Sequence, residues 1–372
     1  MILSLQKEPG IHISYKKGQH VPSLDGIRGT AIIFVLLFHC YPYLSVFKFG
    51  WTGVDLFFVL SGFLISGILI DTVNDEHYYK NFILKRVLRI FPLYYLSLVI
   101  FLFLIPAFSP FISSILQLDY ASLHQLWYWL YGSNWLLSLK DGWMHGAGIN
   151  HFWSLSIEEQ FYLFWPLLIA LFRKKSFLTL CLSTIVLSMM VRIVLFFCNV
   201  SHPALYMLTI TRADALALGG CIAVMIRNEA GIRVLSRIAP YMFFGMLLII
   251  ALGVYLFGSI NPYTNFFSSI GYTFVDMMYA SLIVLGLSDF LFFRKLLSTS
   301  VLRFFGKYSY SMYIFHHPVV IICFGLSGQL LPGGIWARLL VSTLSILITI
   351  LISLLTWNAF EAKFLRLKKK IR

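Results

Sequence analysis

Residues 23–39 read Ser-Leu-Asp-Gly-Ile-Arg-Gly-Thr-Ala-Ile-Ile-Phe-Val-Leu-Leu-Phe-His. The stretch opens a very apolar helix, with Arg28 at its foot and His39 eleven residues further on. At 1.5 Å of rise per residue the two groups lie about 16 Å apart along the axis. Across ~30 Å of hydrocarbon, this spacing puts the arginine at one membrane surface and the imidazole near the middle. An ionisable group at that depth is costly, and function is its default explanation.

The whole chain shares this character. Of its 372 residues 59% are hydrophobic and only 12% charged, with a mean hydropathy of +0.83. That excludes a soluble globular domain and predicts an all-α membrane protein. The 35 Phe, 20 Tyr and 9 Trp supply material for interfacial belts. A net charge of +14 would point to nucleic acid in a soluble protein. Here the charges sit in short segments between apolar runs, so they read as orientation signals and attraction to anionic lipid. The five cysteines lie in apolar segments without metal-ligand spacing, so neither disulfide nor metal is expected. Residues 1–22 are polar and carry no signal-peptide pattern; they read as a cytoplasmic N-terminal segment.

Apolar runs long enough to span fall at about 27–46, 53–71, 90–108, 152–172, 177–198, 206–226, 240–258, 268–288, 309–328 and 335–357. The aromatic stretch 121–139 is apolar enough to be an eleventh. Charge decides against it. With ten spans and the N-terminus inside, all of the 29 Lys and Arg except Lys48, Lys140, Arg192, Arg212 and Arg338 fall on the cytoplasmic side. An eleventh span would move Arg173-Lys174-Lys175 and Lys368-Lys369-Lys370 outside, against the positive-inside rule. The expected topology therefore has both termini cytoplasmic. Residues 109–151 form a long outer loop between helices 3 and 4, holding an interfacial or re-entrant segment. The membrane domain is expected over 23–360, with 361–372 a basic cytoplasmic tail.

Several ionisable residues fall within these spans: His39, Asp55, Glu158, Glu159, Arg192, Arg212, Asp214, Asp276, His316 and His317. Lipid cannot solvate them, so each should face inward and pair. Glu158, counted from the outer end of helix 4, reaches a depth similar to that expected of His39, so a Glu–His contact is allowed. It would orient the ring of a general base. The competing readings are structural: a helix-bridging His39, a Glu158 ion pair with Arg192 or Arg212, and a local Arg212–Asp214 pair. Glu159 lies 100° further round the helix and is not expected to share Glu158's role. His317 precedes Pro318 and reads as packing. Between helices 2 and 3, Arg86 and Arg89 share one face of a helical turn. Two guanidinium forks so placed suit phosphate oxygens, or simply hold the loop inside.

Six segments in order resemble acyltransferase family 3, membrane O-acetylases of lipopolysaccharide, peptidoglycan, exopolysaccharide and nodulation factors. They are Ser23–Gly29 through His39, Gly53–Ile65, Arg86-Val-Leu-Arg89, Phe152–Tyr162 with its Trp153-Ser-Leu-x-x-Glu158 core, Arg212-Ala-Asp214 with Gly219, and Ser309–Pro318 ending at His316-His317. The resemblance covers nearly the whole chain. Some members carry a further span and an extracytoplasmic esterase-like domain, so this chain is expected to be a stand-alone version.

The resemblance implies acetyl-CoA as donor from the cytoplasm and a glycan or lipid-linked sugar as acceptor, such as O-antigen, lipopolysaccharide or exopolysaccharide. It implies a bacterial inner-membrane location. His39 is then the expected catalytic base or transient acyl acceptor, and Glu158 its orienting partner. Arg28, Arg86 and Arg89 are expected on the coenzyme phosphates. Asp25, Asp55, Trp153, Arg212, Asp214 and His316 are secondary candidates for substrate contact or support. The alternative from another class is a glycan or lipid transporter, which buried charges and a re-entrant segment also suit.

Overall fold

The computed structural model describes residues 20–140, 142, 147–330 and 334–368. It is helical, with no strand among the described residues. Ten helices there are long and apolar enough to cross a membrane. They are α1 (Pro22–Cys40), α2 (Ser45–Thr72), α3 (Tyr78–Phe108), α4 (Gly148–Phe172), α5 (Ser176–Phe197), α6 (His202–Met225), α7 (Glu229–Phe257), α8 (Phe267–Leu287), α9 (Ser300–Gly328) and α10 (Ile335–Lys368). Each matches one of the expected runs.

Helical backbone continues from Trp153 to Phe197, through both α4 and α5. The chain nevertheless turns back on itself between Trp165 and Phe177. The Trp165 and Phe177 rings lie 5.8 Å apart, where a straight helix would separate them by about 18 Å. The stretch 121–139 does not form a span. It breaks into helices Asp119–Leu123, Gln125–Trp129 and Ser133–Leu139. It is anchored within the bundle: the Tyr94 hydroxyl donates to the Tyr128 carbonyl at 2.8 Å, and Ser133 meets Ser156 of α4 at 2.9 Å.

Several boundaries differ from expectation: α3 begins at Tyr78 rather than 90, α7 at Glu229 rather than 240 and α9 at Ser300 rather than 309. Helix α1 stops at Cys40 rather than 46, because Pro42 follows and the residue before a proline is pushed out of the helical region; Tyr41 has φ −122° and ψ 53°. Helix α10 runs on to Lys368, and its last turns, Ala362–Lys368, pack against α3. The tail beyond Lys368, and all but the last three of the expected N-terminal segment 1–22, lie outside the described residues.

Two helix pairs touch backbone to backbone. A Cβ on Gly62 of α2 would lie 1.9 Å from the Leu216 carbonyl oxygen, and one on Gly219 of α6 would lie 2.1 Å from that of Val59. Likewise Gly29 of α1 meets the Leu302 carbonyl and Gly306 of α9 meets that of Asp25. Without water to drive helices together, close packing at small residues supplies the contact energy.

The interior of the bundle is also charged. Arg212 of α6 donates from Nη2 to Asp55 of α2, both fully buried. The Tyr272 ring lies 4.5 Å from the Arg212 guanidinium carbon, in cation–π contact. Arg192 of α5 donates to Asp214 at 3.0 Å, to the Thr211 carbonyl at 2.6 Å and to the Ser269 carbonyl at 3.0 Å. Thr273 of α8 completes the cluster by donating to Asp214 at 2.6 Å. The expected local Arg212–Asp214 pair is thus corrected: each residue pairs with another helix. Neighbours two apart on a helix point about 200° apart, so they reach different partners.

Adding one methyl group tests the α2–α6 seam. Gly219→Ala should cost about 1–3 kcal/mol by overpacking, seen as a lower melting temperature in detergent. Gly245→Ala, which meets nothing within 4 Å, should leave melting unchanged or slightly raised. Arg212→Gln should cost about 3–5 kcal/mol, because it strands a buried carboxylate. The double variant Asp55→Asn/Arg212→Gln should melt above the single one.

Candidate active site

Helices α1, α2, α4, α6 and α9 and residues 259–263 line a cavity of about 680 Å³, to which His39, Lys48, His151, Trp153, Tyr313 and His317 contribute. His39 closes the last turn of α1. Its Nδ1 lies 2.9 Å from the Val35 carbonyl oxygen. A carbonyl only accepts, so Nδ1 carries the proton and Nε2 keeps its lone pair. The ring lies 4.9 Å from that of His316 and 5.0 Å from that of His317.

The other imidazoles are fixed in the same way. His316, fully buried, donates from Nδ1 to the Tyr313 carbonyl at 2.7 Å. His151 donates from Nε2 to the Ile314 carbonyl at 3.1 Å. Its ring lies 5.1 Å from His316 and 5.3 Å from His317. The remaining ring nitrogens, Nε2 of His316 and Nδ1 of His151, are buried without a hydrogen-bond partner. Four imidazoles thus share one region, and each has one ring nitrogen directed at a backbone carbonyl.

Glu158 is not part of this group, which corrects the expected pairing with His39. Because Pro42 ends α1 early, His39 is level with His151 in the first turn of α4. Glu158 lies two turns deeper, about 10 Å along that helix. There it accepts from the Tyr162 hydroxyl at 3.1 Å, and Tyr162 in turn meets Ser61. Nor does Glu158 pair with Arg192 or Arg212, whose carboxylates are Asp214 and Asp55.

Glu158 lines a second cavity, of about 280 Å³, together with Arg28, Arg86, Arg89, Glu159 and Tyr162. The three arginines singled out in the sequence therefore meet in one chamber. Arg28 is held by Asp25 at 3.0 Å. Asp25 also meets His20 at 2.6 Å. Among the described residues no carboxylate lies within ion-pair distance of Arg86 or Arg89. Nε of Arg86 and Oε1 of Glu159 are buried without hydrogen-bond partners. Glu159, not expected to share Glu158's role, lines the same chamber. Lys368 reaches it from the end of α10.

The two cavities share walls at Val54 and Tyr313. The Tyr313 hydroxyl lies 2.5 Å from Ser154 Oγ, on the basic side, and 3.1 Å from the His151 carbonyl, on the imidazole side. A single tyrosine therefore stands between the arginine chamber and the histidine chamber. Trp153 lines the latter, its ring tilted against that of Tyr206 with centres 4.8 Å apart. Asp55, Arg212 and Asp214 line neither and belong to the buried ion pairs. Among the described residues no group of three or more His, Cys, Asp or Glu could hold a metal ion.

His151 and His317 are functional candidates that sequence reasoning passed over. His151 sits in the short 3-10 turn that opens α4, where no helical periodicity marks it. Its signal was adjacency to Phe152-Trp153. His317 was obscured by the proline that follows it.

A profile of an acyltransferase domain, acyltransferase family 3, matches residues 21–358. The peptidoglycan O-acetyltransferase OatA of Listeria monocytogenes is 28% identical over 328 residues, covering 82% of this chain and 50% of OatA. YrhL of Bacillus subtilis, provisionally named a peptidoglycan O-acetyltransferase, is 29% identical over 333 residues, covering 83% and 50%. SACOL0978 of Staphylococcus aureus (strain COL), provisionally named an O-acetyltransferase, is 28% identical over 82% of this chain and 52% of its own. The chain spans about half the length of these curated relatives. No solved structure matches it. The chain belongs to acyltransferase family 3, whose domain occupies residues 21–358.

Proposed function

We propose that this chain moves an acetyl group from acetyl-CoA on the cytoplasmic side of a bacterial inner membrane to a hydroxyl of a glycan on the other side. The observation that carries the reading is the pair of chambers meeting at Tyr313, one lined by arginines and one by imidazoles. Both termini are assigned to the cytoplasm and residues 109–151 to the outer face. Support comes from the basic residues gathered at the ends of α1, α3 and α9 on one face. The names of OatA and YrhL make peptidoglycan the first acceptor to test, ahead of O-antigen, lipopolysaccharide or exopolysaccharide.

In this reading Arg28, Arg86 and Arg89 take coenzyme phosphates, since planar forks match phosphate oxygens. The pantetheine arm runs past Glu158 and Tyr162 towards Tyr313 and brings the thioester to the histidine chamber. The acceptor hydroxyl oxygen attacks the thioester carbonyl while Nε2 of His39 takes its proton. The tetrahedral adduct then collapses. The carbon–sulfur bond breaks, its electron pair leaves on sulfur, and the thiolate takes the proton back from the imidazolium. His316 and His151 lie close enough to share that proton between the two transfers. Asp25 positions Arg28. Trp153 offers an aromatic face for the acceptor. Asp55, Arg212 and Asp214 hold the helices that form the walls.

The test uses vesicles containing the full chain, with labelled acetyl-CoA on the cytoplasmic face and muropeptides on the other. Ester-linked label should appear on the muropeptides. His39→Ala should lower transfer at least ~100-fold, the usual scale for a general base, without changing the melting temperature. Undiminished acetylation in His39→Ala overturns the assignment. Glycan crossing without acyl transfer would establish the transporter instead. Glu158→Gln separates the two placements of that carboxylate. If it lines the donor path, KM for acetyl-CoA rises more than kcat falls; if it orients His39, kcat carries the loss.

A further inference from the structure

We infer that a third cavity, between the foot of α1, α9 and the end of α10, receives the nucleotide end of the acyl donor, with Arg303 and Lys307 on its 3′-phosphate. The inference rests on the acyl-CoA reading above and names the part of the donor left unassigned there. The cavity holds about 400 Å³, within the range of small-molecule sites. Arg28, Arg89, Ser309 and Tyr310 line both this cavity and the arginine chamber. A ligand seated here can therefore place its diphosphate at the shared arginines and send its arm inward.

Three features fit a nucleoside bisphosphate. The first is charge. Arg303 and Lys307 are four apart on α9, so they share a face and add to Arg28 and Arg89. Among the described residues no carboxylate lies within ion-pair distance of Arg89, Arg303 or Lys307. The second is an aromatic wall. Trp357 lines the cavity, with the Lys307 ammonium 5.2 Å from its ring centre. An indole face beside a cation suits a purine carrying phosphate. The third is an orphan acceptor. Glu361 lines the cavity, is 7% exposed, and its Oε1 is buried without a hydrogen-bond partner. Such an oxygen calls for a donor. An adenine amino group or a ribose hydroxyl supplies one. Asp25 faces the same space but is already committed to Arg28 and His20.

An anionic lipid headgroup would satisfy the cations as well as a nucleotide does. It would leave the Trp357 face without a base to stack on, whereas the hydroxyls of a glycerol headgroup would serve Glu361 as well as a ribose does. The aromatic wall favours the nucleotide.

The test compares acetyl-CoA with acetyl-dephospho-CoA, which lacks only the 3′-phosphate, using the full chain in nanodiscs with and without phosphatidylglycerol. The wild-type chain should show a KM at least about tenfold lower for acetyl-CoA, the scale of a charge-assisted contact. In Arg303→Ala/Lys307→Ala that ratio should fall towards one. The conservative Arg303→Lys, which preserves the charge, should retain most of it. Arg233→Ala, on an exposed i,i+4 pair, should keep the wild-type ratio. Direct binding of adenosine 3′,5′-bisphosphate, read by tryptophan quenching, should weaken about tenfold or more in the double variant and disappear with Trp357→Leu. A donor ratio unchanged in the double variant overturns the inference while leaving the acyl-CoA reading intact. Competition by phosphatidylglycerol without any by the bisphosphate makes the cavity a lipid site and also overturns it. Absence of transfer from either donor, with the bisphosphate still bound, would instead count against the acyl-transfer reading.

Discussion

A guanidinium with no water around it must find its counter-charge inside the protein. Arg212 and Arg192 meet that requirement by reaching across to Asp55 and Asp214, joining α2, α5, α6 and α8. In a soluble protein such pairs add little net stability, because desolvation offsets the attraction. Here their value is geometric. Each helix has one rotation and one depth at which its charge is satisfied, so the pairs set the register of the bundle. The glycine seams at Gly62 and Gly219 let α2 and α6 approach closely enough for the Asp55–Arg212 contact to close.

With the register fixed, the candidate site residues fall into separate spaces. The arginines collect at the foot of α1, the start of α3 and the start of α9. The imidazoles collect where α1 ends. One tyrosine on α9, Tyr313, faces both. The division follows from chain geometry. Helix α1 contributes Arg28 to one space and His39 to the other, and the eleven residues between them set the separation at about 16 Å.

Much of this was readable from the chain. Ten apolar runs gave ten helices, and the basic residues correctly ruled out a span at 121–139, which breaks into short helices. The meeting of Arg28 with Arg86 and Arg89 followed from motif and charge, since all three sit at helix ends on one face. What failed was pairing at a distance. Arg212 and Asp55 are separated by 157 positions, and no local pattern links them, whereas Asp214 lay temptingly close. The Glu158–His39 pairing failed for a smaller reason. It depended on where α1 ends, and Pro42 moved that end by several residues. A shift of one or two turns on one helix exchanges Glu158 for His151 as the neighbour. His151 itself was invisible because it lies in a turn, outside any periodic face.

In the proposed acyl transfer, the separation of the two chambers is itself a chemical requirement. An imidazole that must accept a proton gains positive charge, and a guanidinium beside it would oppose that gain. Phosphates need the opposite environment, with several cations converging. One undivided cavity could not serve both well. The histidine chamber meets its need by spending one N–H of each of His39, His151 and His316 on a backbone carbonyl. A carbonyl fixes the tautomer and ring plane without adding a full charge. A carboxylate orienting His39, as the sequence led one to expect, would have stabilised the charged ring throughout the cycle. It would also have made the proton harder to return to the departing thiolate. Carbonyl partners leave the ring able both to take the proton and to give it up, which a transfer with no net proton balance demands.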